Sequence, residues 1–521
     1  MAKGSYTSIV VWGRNHPQTV GIFLLLSALL VVALVRLQQF SINSAPPGSD
    51  GGQWLAFGHQ LFNGEQIKAG FQYYPPLFPF LVRVIALNDG LLTLKLLGII
   101  ASVLVCVPIY LLLRTALHPW AAAIVSVAPA LTPYKTEVLN FGGYPQLLGT
   151  SFLILTLFLL LNGLNTGRRI WFMGAAVAAA ATANSNVLPA LVLAISSVLV
   201  LLMWSYRLWQ KGGPVLYARL RYAVLWWIVP SVILCVPLFG TYLAYLSPDT
   251  GRLGNPQELS LLDIAHSLGS AWLLEFVLWS SIFFIAVVSL ALNRRVVLAG
   301  GPVLVTATTV VLASGSIGLL IFRELRFGEY IEIGLVLLIG LLLNMLGSFL
   351  SVTPVKRYLL PITLTVAIVV VSVIGVIGYR RFIIAYNWYN VVDASVLPAM
   401  EWLRDNRIPG AKVAATGALR GNNYGWWIEG YAHMPTYMAG DTFLFFHSEE
   451  HAQVELAWRL VMEDSPPTEI GAISDEESIR YLFLDKHVLQ RPLGHFIQAG
   501  FINRFENETI VIMERDAGQS R

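Results

Sequence analysis

Apolar runs of about 17 to 25 residues, each long enough to cross a membrane as a helix, recur along residues 1–380. They predict about eleven spans, and the third and fifth are short, so their ends are the least well defined. The predicted spans cover residues 19–38, 92–113, 119–133, 147–163, 170–184, 187–205, 223–246, 268–292, 296–314, 331–351 and 358–379.

The pattern changes near residue 381, where shorter amphipathic segments are typical of a soluble α/β domain. Helices are predicted at 395–405 and 448–463, and strands at 412–416, 480–484 and 509–513. The chain therefore divides into a membrane module, 1–380, and a soluble domain, 381–521.

The segment between the first two predicted spans, residues 41–91, is much longer than a connection needs. It contains a predicted helix from Gln53 to Asn63, and an apolar stretch, Leu77–Leu87, that is too short to span a membrane. This stretch is expected to lie in the membrane interface.

Composition supports the membrane assignment. Of 521 residues, 56% are hydrophobic and 12% are charged, against about 25% charged in ordinary soluble domains. This balance excludes a disordered chain, a coiled coil and a disulfide scaffold. The two cysteines, Cys106 and Cys235, lie in apolar runs and are interpreted as packing residues.

Charge along the chain predicts the orientation. Residues 1–380 carry a net charge of +11 and residues 381–521 a net charge of −7. Positive residues without acidic ones occupy alternate loops, which predicts that those loops and the N-terminus are cytoplasmic. Eleven spans then place the tail and loop 41–91 outside, in a multi-pass plasma-membrane protein. The positive residues are Lys3, Arg14, Arg114, Arg168, Arg169, Arg207, Lys211, Arg219, Arg221, Arg294, Arg295, Lys356 and Arg357.

Asp50 is the strongest catalytic candidate. It follows the first predicted span, and Gly48, Gly51 and Gly52 flank it, so the backbone is able to approach a ligand closely. A carboxylate at this position is suited to act as a general base on a sugar hydroxyl. The alternative is an ordinary polar turn, since Ser-Asp-Gly-Gly is typical turn sequence.

Two further outer loops carry charge at the mouth of the predicted bundle. The first offers Lys135, Glu137 and Tyr144, although a polar turn between helices explains them equally. The second offers Arg323 and Arg326, which are suited to bind a lipid-linked phosphate. The alternatives for these arginines are anchoring the helix or pairing with nearby glutamates.

Three other residues are weaker candidates. Glu275 lies near an outer helix end, where snorkelling to the interface explains it. His447 and His451 are four residues apart, as metal ligands on a helix can be, but a solvated helix start is the favoured interpretation. No outer basic patch indicates nucleic acid as a partner.

The architecture and several motifs together resemble the GT-C superfamily of membrane glycosyltransferases, which includes protein mannosyltransferases, aminoarabinose transferases and oligosaccharyltransferases. The resemblance rests on Asp50 in a long first outer loop, the Tyr-Pro-Pro-Leu-Phe-Pro-Phe-Leu run after it, and the Phe-Gly-Gly-Tyr-Pro-Gln stretch at 141–146. The tail is similar in order to the oligosaccharyltransferase tail, but Trp426-Trp427-Ile428 lacks the Asp-Tyr pair of the family's peptide-recognition motif.

The resemblance implies roles for individual residues. Asp50 would be the catalytic carboxylate and Glu137 a second acid, whereas Arg323, Arg326 and Lys135 would bind the donor phosphate. Six aromatic residues are further candidates for binding substrate: Tyr73, Tyr74, Tyr144, Tyr330, Trp426 and Trp427.

The leading hypothesis is an inverting glycosyltransferase that uses a polyprenyl-phosphate sugar and passes it to a glycan, lipid or protein on the outer face. No cofactor is certain, no metal ligand is assigned, and a divalent metal is possible. Two alternatives stay open: a non-catalytic membrane subunit whose outer domain binds partners, and a transporter or flippase for a lipid-linked substrate.

Overall fold

The structure is a computed structural model that describes residues 16–63, 74–85, 89–211, 213–238, 240, 301–322, 325–350, 358–417, 423–439 and 448–516. The described chain is mostly helical. The helices of the membrane module are α1 (Pro17–Phe40), α2 (Asp50–Asn63), α3 (Leu77–Ile85), α4 (Gly90–Leu104), α5 (Cys106–Leu113), α6 (Pro119–Val125), α7 (Pro133–Phe141), α8 (Tyr144–Thr166), α9 (Arg169–Ser185), α10 (Val187–Lys211), α11 (Pro214–Ala223), α12 (Val229–Cys235), α13 (Pro302–Phe322), α14 (Gly328–Leu350) and α15 (Leu359–Tyr389).

Within the described part of the chain, eight helices are long and apolar enough to cross a membrane. Two of the other predicted spans form shorter helices, since the run at 119–133 becomes α6 and a 3₁₀ turn, and the run at 170–184 becomes α9. The predicted span at 268–292 lies outside the described residues. The prediction of a polytopic helical membrane protein is therefore confirmed.

Local sequence explains where several of these helices begin and end. Proline stands at the start of α1, α6 and α7, where its missing N–H is not needed. Asp89 caps α4, because its Oδ1 accepts hydrogen bonds from the backbone N–H groups of Leu91 and Leu92. Gly167 ends α8 in the left-handed conformation, with φ +76°.

The buried core of the bundle is apolar. The small side chains of α9, among them Ala175, Ala176 and Ala179, are buried and let α9 pack closely along α8. Leu153, Leu157 and Leu160 of α8 fill the same core. These contacts fix α8 against α9 in the core of the bundle.

The long loop after α1 forms two helices at that end. The predicted helix from Gln53 begins three residues earlier in the structure, so Asp50 is the first residue of α2. The apolar stretch predicted at Leu77–Leu87 forms α3 over Leu77–Ile85. Phe80 and Val84 of α3 are exposed, as expected of a helix that lies against lipid.

The C-terminal region contains one five-stranded sheet, as expected of an α/β domain. Its order is β2-β1-β3-β5-β4; β2, β1 and β3 are parallel, and β5 pairs antiparallel with both β3 and β4. Its elements are α16 (Leu397–Asp405), β1 (Lys412–Ala415), β2 (Thr436–Met438), α17 (Ser448–Val461), α18 (Pro467–Glu477), β3 (Ile479–Asp485), α19 (Leu493–Gln498), β4 (Phe501–Glu506) and β5 (Ile510–Arg515).

The domain sits on the end of the bundle that carries α2. A short helical segment, Gly425–Ala432, packs directly against α2. The helix α15 runs continuously to Tyr389, so the residues after 380 begin as an extension of the last span. This extension places Tyr389 beside the turn before α2 and Arg381 beside Glu137 of α7.

Candidate functional site

The turn that carries Asp50 is fixed from two sides. The backbone N–H of Gly48 donates to the carbonyl of Tyr389 at 2.7 Å, and the carbonyl of Gly48 accepts from Trp427 Nε1 at 2.9 Å. Gly48 has φ +98°, which a side chain would rarely tolerate. Asp50 is half-buried at the N-terminus of α2, where the helix dipole favours its negative charge.

The glycines around Asp50 allow the C-terminal domain to pack closely against α2. The sequence had instead suggested that they allow a ligand to approach. A Cβ on Gly51 would lie 2.8 Å from the indole of Trp427, and a Cβ on Gly52 would lie 2.5 Å from the carbonyl carbon of Trp426. The domain therefore approaches α2 as closely as two backbones allow. This contact fixes the position of Asp50 relative to the domain.

Charged side chains from four segments converge on the phenol of Tyr389, the last residue of α15. Burial, followed by the negative charges of Glu137 and Asp50, raises the pKa of this phenol to about 12, and the positive charges of Arg381 and Arg326 oppose the rise. The hydrogen bond from the Gly48 N–H to the Tyr389 carbonyl and the ion pair between Glu137 and Arg381 bring the Asp50 turn and α7 against the last turns of α15. We refer to Asp50, Glu137, Arg326, Arg381 and Tyr389 as the Tyr389 cluster.

Glu137 is tied to the cluster by an ion pair. Its Oε2 lies 2.6 Å from Arg381 Nη2 and 3.0 Å from Arg381 Nε, and both side chains keep more than a quarter of their surface exposed. The paired carboxylate holds the guanidinium in one orientation. Glu137 is thus placed to position a cation, and its direct catalytic role stays a prediction.

Arg381 and Tyr389 are functional candidates that sequence reasoning missed. Both follow the predicted boundary at residue 380, so they were assigned to the soluble domain. The available signal was the pair Arg380-Arg381 directly after an apolar run, at the end of the bundle otherwise predicted to be poor in positive charge.

Lys135 lies in the interior of the bundle, apart from the cluster. Its Nζ is 3.3 Å from Glu329 Oε1, and Gln146 Nε2 donates to Glu329 Oε2 at 2.8 Å. Both charged side chains are fully buried. The charge of Lys135 is therefore compensated within the protein. A role for Lys135 in binding donor phosphate stays a prediction. Arg323, its predicted companion, lies outside the described residues.

The predicted aromatic residues are mostly buried. The Tyr144 hydroxyl donates to the carbonyl of Pro47 at 3.4 Å, which supports the Asp50 turn. Tyr330 is fully buried beside Thr150. Tyr74 accepts a hydrogen bond from Asn186 Nδ2 at 2.7 Å.

The two tryptophans pack within the protein. Trp427 is fully buried against α2, and Trp426 packs against Met438 and Val454. Contact of either indole with substrate stays a prediction. Tyr73, Glu275 and His447 lie outside the described residues.

The acidic, histidine and cysteine side chains of the described residues bear on whether the site could hold a metal ion. In the described ranges, no three His, Cys, Asp or Glu side chains come together as a group that could hold a metal ion. The site residues that are present do not supply a metal-binding set, so no step below is assigned to a metal.

Comparison with known structures identifies the fold. No protein family and no curated protein sequence matches the chain. The apo structure of ArnT from Cupriavidus metallidurans is 14% identical and has a TM-score of 0.59, with 96% of this chain and 98% of that chain covered. The apo Archaeoglobus fulgidus oligosaccharyltransferase is 14% identical with a TM-score of 0.53, covering 88% and 69%.

A third match is the arabinofuranosyltransferase AftD from Mycobacteria, 15% identical with a TM-score of 0.55. The match covers 94% of this chain and 41% of AftD, so this chain corresponds to less than half of that protein. The fold is that of the GT-C membrane glycosyltransferases, as the resemblance in sequence predicted. Together with the apolar helices, it defines a multi-pass membrane protein.

Proposed function

We propose that this protein is a membrane glycosyltransferase that moves a sugar from a polyprenyl-phosphate donor to an acceptor hydroxyl at the end of the bundle that carries the domain. The observation that carries the proposal is the Tyr389 cluster, in which the turn before Asp50 is hydrogen-bonded to Tyr389 and the Glu137–Arg381 ion pair lies on the same helix, α15. The GT-C fold supports the same reaction class. ArnT from Cupriavidus metallidurans has also been solved bound to undecaprenyl phosphate.

Asp50 acts in this proposal as the general base. Its carboxylate takes the proton from the acceptor hydroxyl while that oxygen attacks the anomeric carbon of the donor sugar. The bond from the anomeric carbon to the phosphate oxygen breaks, and its electron pair leaves with the lipid phosphate. A single displacement of this kind inverts the anomeric configuration.

Arg326 and Arg381 stabilise the leaving phosphate. Negative charge develops on the phosphate as the bond breaks, so fixed cations favour the transition state over the bound donor. The carboxylate of Glu137 orients the Arg381 guanidinium through the ion pair. Because the orientation is set before substrate binds, little reorganisation is needed during the reaction.

Replacing Asp50 with Asn tests the proposal. Membranes that contain the protein are given a panel of polyprenyl-phosphate sugars, and free polyprenyl phosphate is measured as the product. Loss of the general base is expected to lower the rate about 10²- to 10⁴-fold. Asp475→Asn is the matched control, because Asp475 is an exposed carboxylate that pairs with Arg515 within the domain.

The two variants give a clear decision. A rate for Asp50→Asn within a few-fold of the control, in protein that unfolds at the same temperature, would remove Asp50 from the mechanism. If the wild type releases no polyprenyl phosphate from any donor in the panel, the result would favour a non-catalytic subunit over a glycosyltransferase.

A further inference from the structure

A cleft of about 820 Å³ opens on the C-terminal half of α2, and none of the Tyr389 cluster lines it. Its walls come from α2, α3, the first turns of α4, and the domain between Leu397 and His433. With a rise of about 1.5 Å per residue, His59 lies about 13 Å along α2 from Asp50. The cleft is therefore separate from the site described above.

Positive charge exceeds negative charge in the lining. Arg83, Lys95 and Arg404 face Asp89 and Glu401. Both carboxylates already accept hydrogen bonds from the protein: Asp89 caps α4, and Glu401 accepts from the Tyr431 hydroxyl at 3.3 Å. The lining thus holds one more cation than carboxylate, and Arg83 is exposed, which suits the cleft to an anion.

The three cations differ in how far the protein satisfies them. Lys95 Nζ donates to the carbonyl of Asn43 at 2.6 Å. Arg404 donates through Nη1 to the Tyr431 hydroxyl at 3.0 Å and pairs through Nε with Asp405 Oδ1 at 2.9 Å, so its charge is compensated within the protein. Arg83 is exposed, and within the described part of the chain its guanidinium has no hydrogen-bond or ion-pair partner. Its five donors are therefore available to a ligand.

A stacked histidine pair forms another wall. The rings of His59 and His433 lie 4.3 Å apart with 23° between their planes. Desolvation of the His433 ring, followed by the charges of His59, Arg407, Arg83 and Arg404, lowers its pKa to about 4. His433 also adopts φ +55°, which costs free energy in a residue with a side chain. The buried ring is therefore held neutral chiefly by desolvation, and the neighbouring cations add to that effect.

Apolar surface continues from the cleft along α4. Leu92 lines the cleft, and Leu96 and Ile100 follow it at intervals of four residues, so all three lie on one face of the helix. All three are exposed on the outside of the bundle. An amphiphile with its head in the cleft would find an apolar track for its chain along this face.

We propose that the cleft binds the phosphate head group of an anionic membrane lipid, with the lipid chains along Leu92, Leu96 and Ile100. Arg83 and Lys95 contact the phosphate, and the histidine pair packs against the head group. This inference goes beyond the proposed glycosyl transfer and does not depend on it, because it uses none of the residues of the Tyr389 cluster.

Lipid binding to the full-length protein in detergent tests the proposal. Native mass spectrometry measures the dissociation constants of phosphatidylglycerol and of uncharged phosphatidylcholine. Phosphatidylglycerol is chosen because its phosphodiester carries one charge at every pH near neutrality. Arg83→Gln and Arg83→Gln/Lys95→Gln are compared with Arg380→Gln, which removes an exposed cation outside the cleft.

Wild-type protein is expected to bind phosphatidylglycerol at least about tenfold more tightly than phosphatidylcholine. Each cleft substitution should weaken the binding of phosphatidylglycerol by about tenfold or more, as expected for loss of a charge-assisted hydrogen bond. Arg380→Gln should leave it unchanged. Arg83 is exposed, so the single variant is expected to fold as the wild type does.

Two results would overturn the proposal. Equal loss of binding in Arg380→Gln and Arg83→Gln would show a general effect of surface charge, with no specific cleft. If millimolar inorganic phosphate abolishes the binding of phosphatidylglycerol, the cleft binds free phosphate and the lipid chains contribute nothing to the affinity.

Discussion

Gly52→Ala tests whether the close approach of the domain to α2 positions the catalytic carboxylate. Gly52 lies inside α2, where alanine by itself would be favoured by about 0.5–1 kcal/mol. The new Cβ, however, would lie 2.5 Å from the carbonyl carbon of Trp426, whereas ordinary contacts begin near 3.4 Å. The neighbour is backbone, so α2 and the domain must separate by about 0.9 Å, the difference between those two distances.

The expected effect is larger on catalysis than on stability. Overpacking typically costs about 1–3 kcal/mol, which the helix preference of alanine partly offsets, so a net loss of about 1–2 kcal/mol is expected. A displacement of about 1 Å at a catalytic group lowers the rate about 10²-fold. The fall should appear in kcat, because Asp50 acts on the transition state and the phosphate contacts stay in place.

Release of polyprenyl phosphate and thermal unfolding in detergent are the two measurements. Gly494→Ala is the matched control, since nothing in the described structure lies within 4 Å of a Cβ at Gly494. If Gly52→Ala keeps the kcat and the unfolding temperature of Gly494→Ala, contact with the domain does not position Asp50 and the reasoning is wrong.

Two other predictions concern the donor and the orientation. Arg326→Ala and Arg381→Ala should each lower kcat/KM for the lipid-phosphate donor about 10- to 100-fold, mainly through kcat, because the arginines act on charge that develops in the transition state. Donor titrations measure both constants, and unchanged values in both variants would place the phosphate elsewhere. In a cysteine-free background, Ile497→Cys introduces a thiol at an exposed position of the domain, and an impermeant maleimide should label it from outside the cell. Labelling only after the membrane is opened would reverse the predicted orientation.

The sequence alone determined the class of protein and the best single catalytic candidate. Hydropathy reports how favourably a segment transfers into lipid, which is a property of that segment, so the bundle was predictable before any contact was known. The α/β character of the tail and strands β1, β3 and β5 were predictable because each strand contains a short apolar run bounded by polar residues. Asp50 was a candidate because glycines flank it directly after a span, although the same residues are also typical of a turn.

The short strands depended on their partners. Residues Thr436–Met438 form β2 only because β1 supplies the parallel pairing, and β4 is an edge strand whose exposed residues give no clear alternation. A strand of this kind is stabilised by its neighbour's hydrogen bonds, which the local sequence does not encode. Both strands were therefore missed.

Only the tertiary structure decided which charges meet. Lys135 and Arg381 are both cations near predicted helix ends, yet Lys135 is buried against Glu329, whereas Arg381 pairs with Glu137 where both side chains are partly exposed. A buried charge must find a counter-charge because its desolvation is costly, and helix packing alone determines which one is within reach. The same packing brings Trp427 onto Gly48, so the position of Asp50 depends on residues more than 370 positions away in the chain.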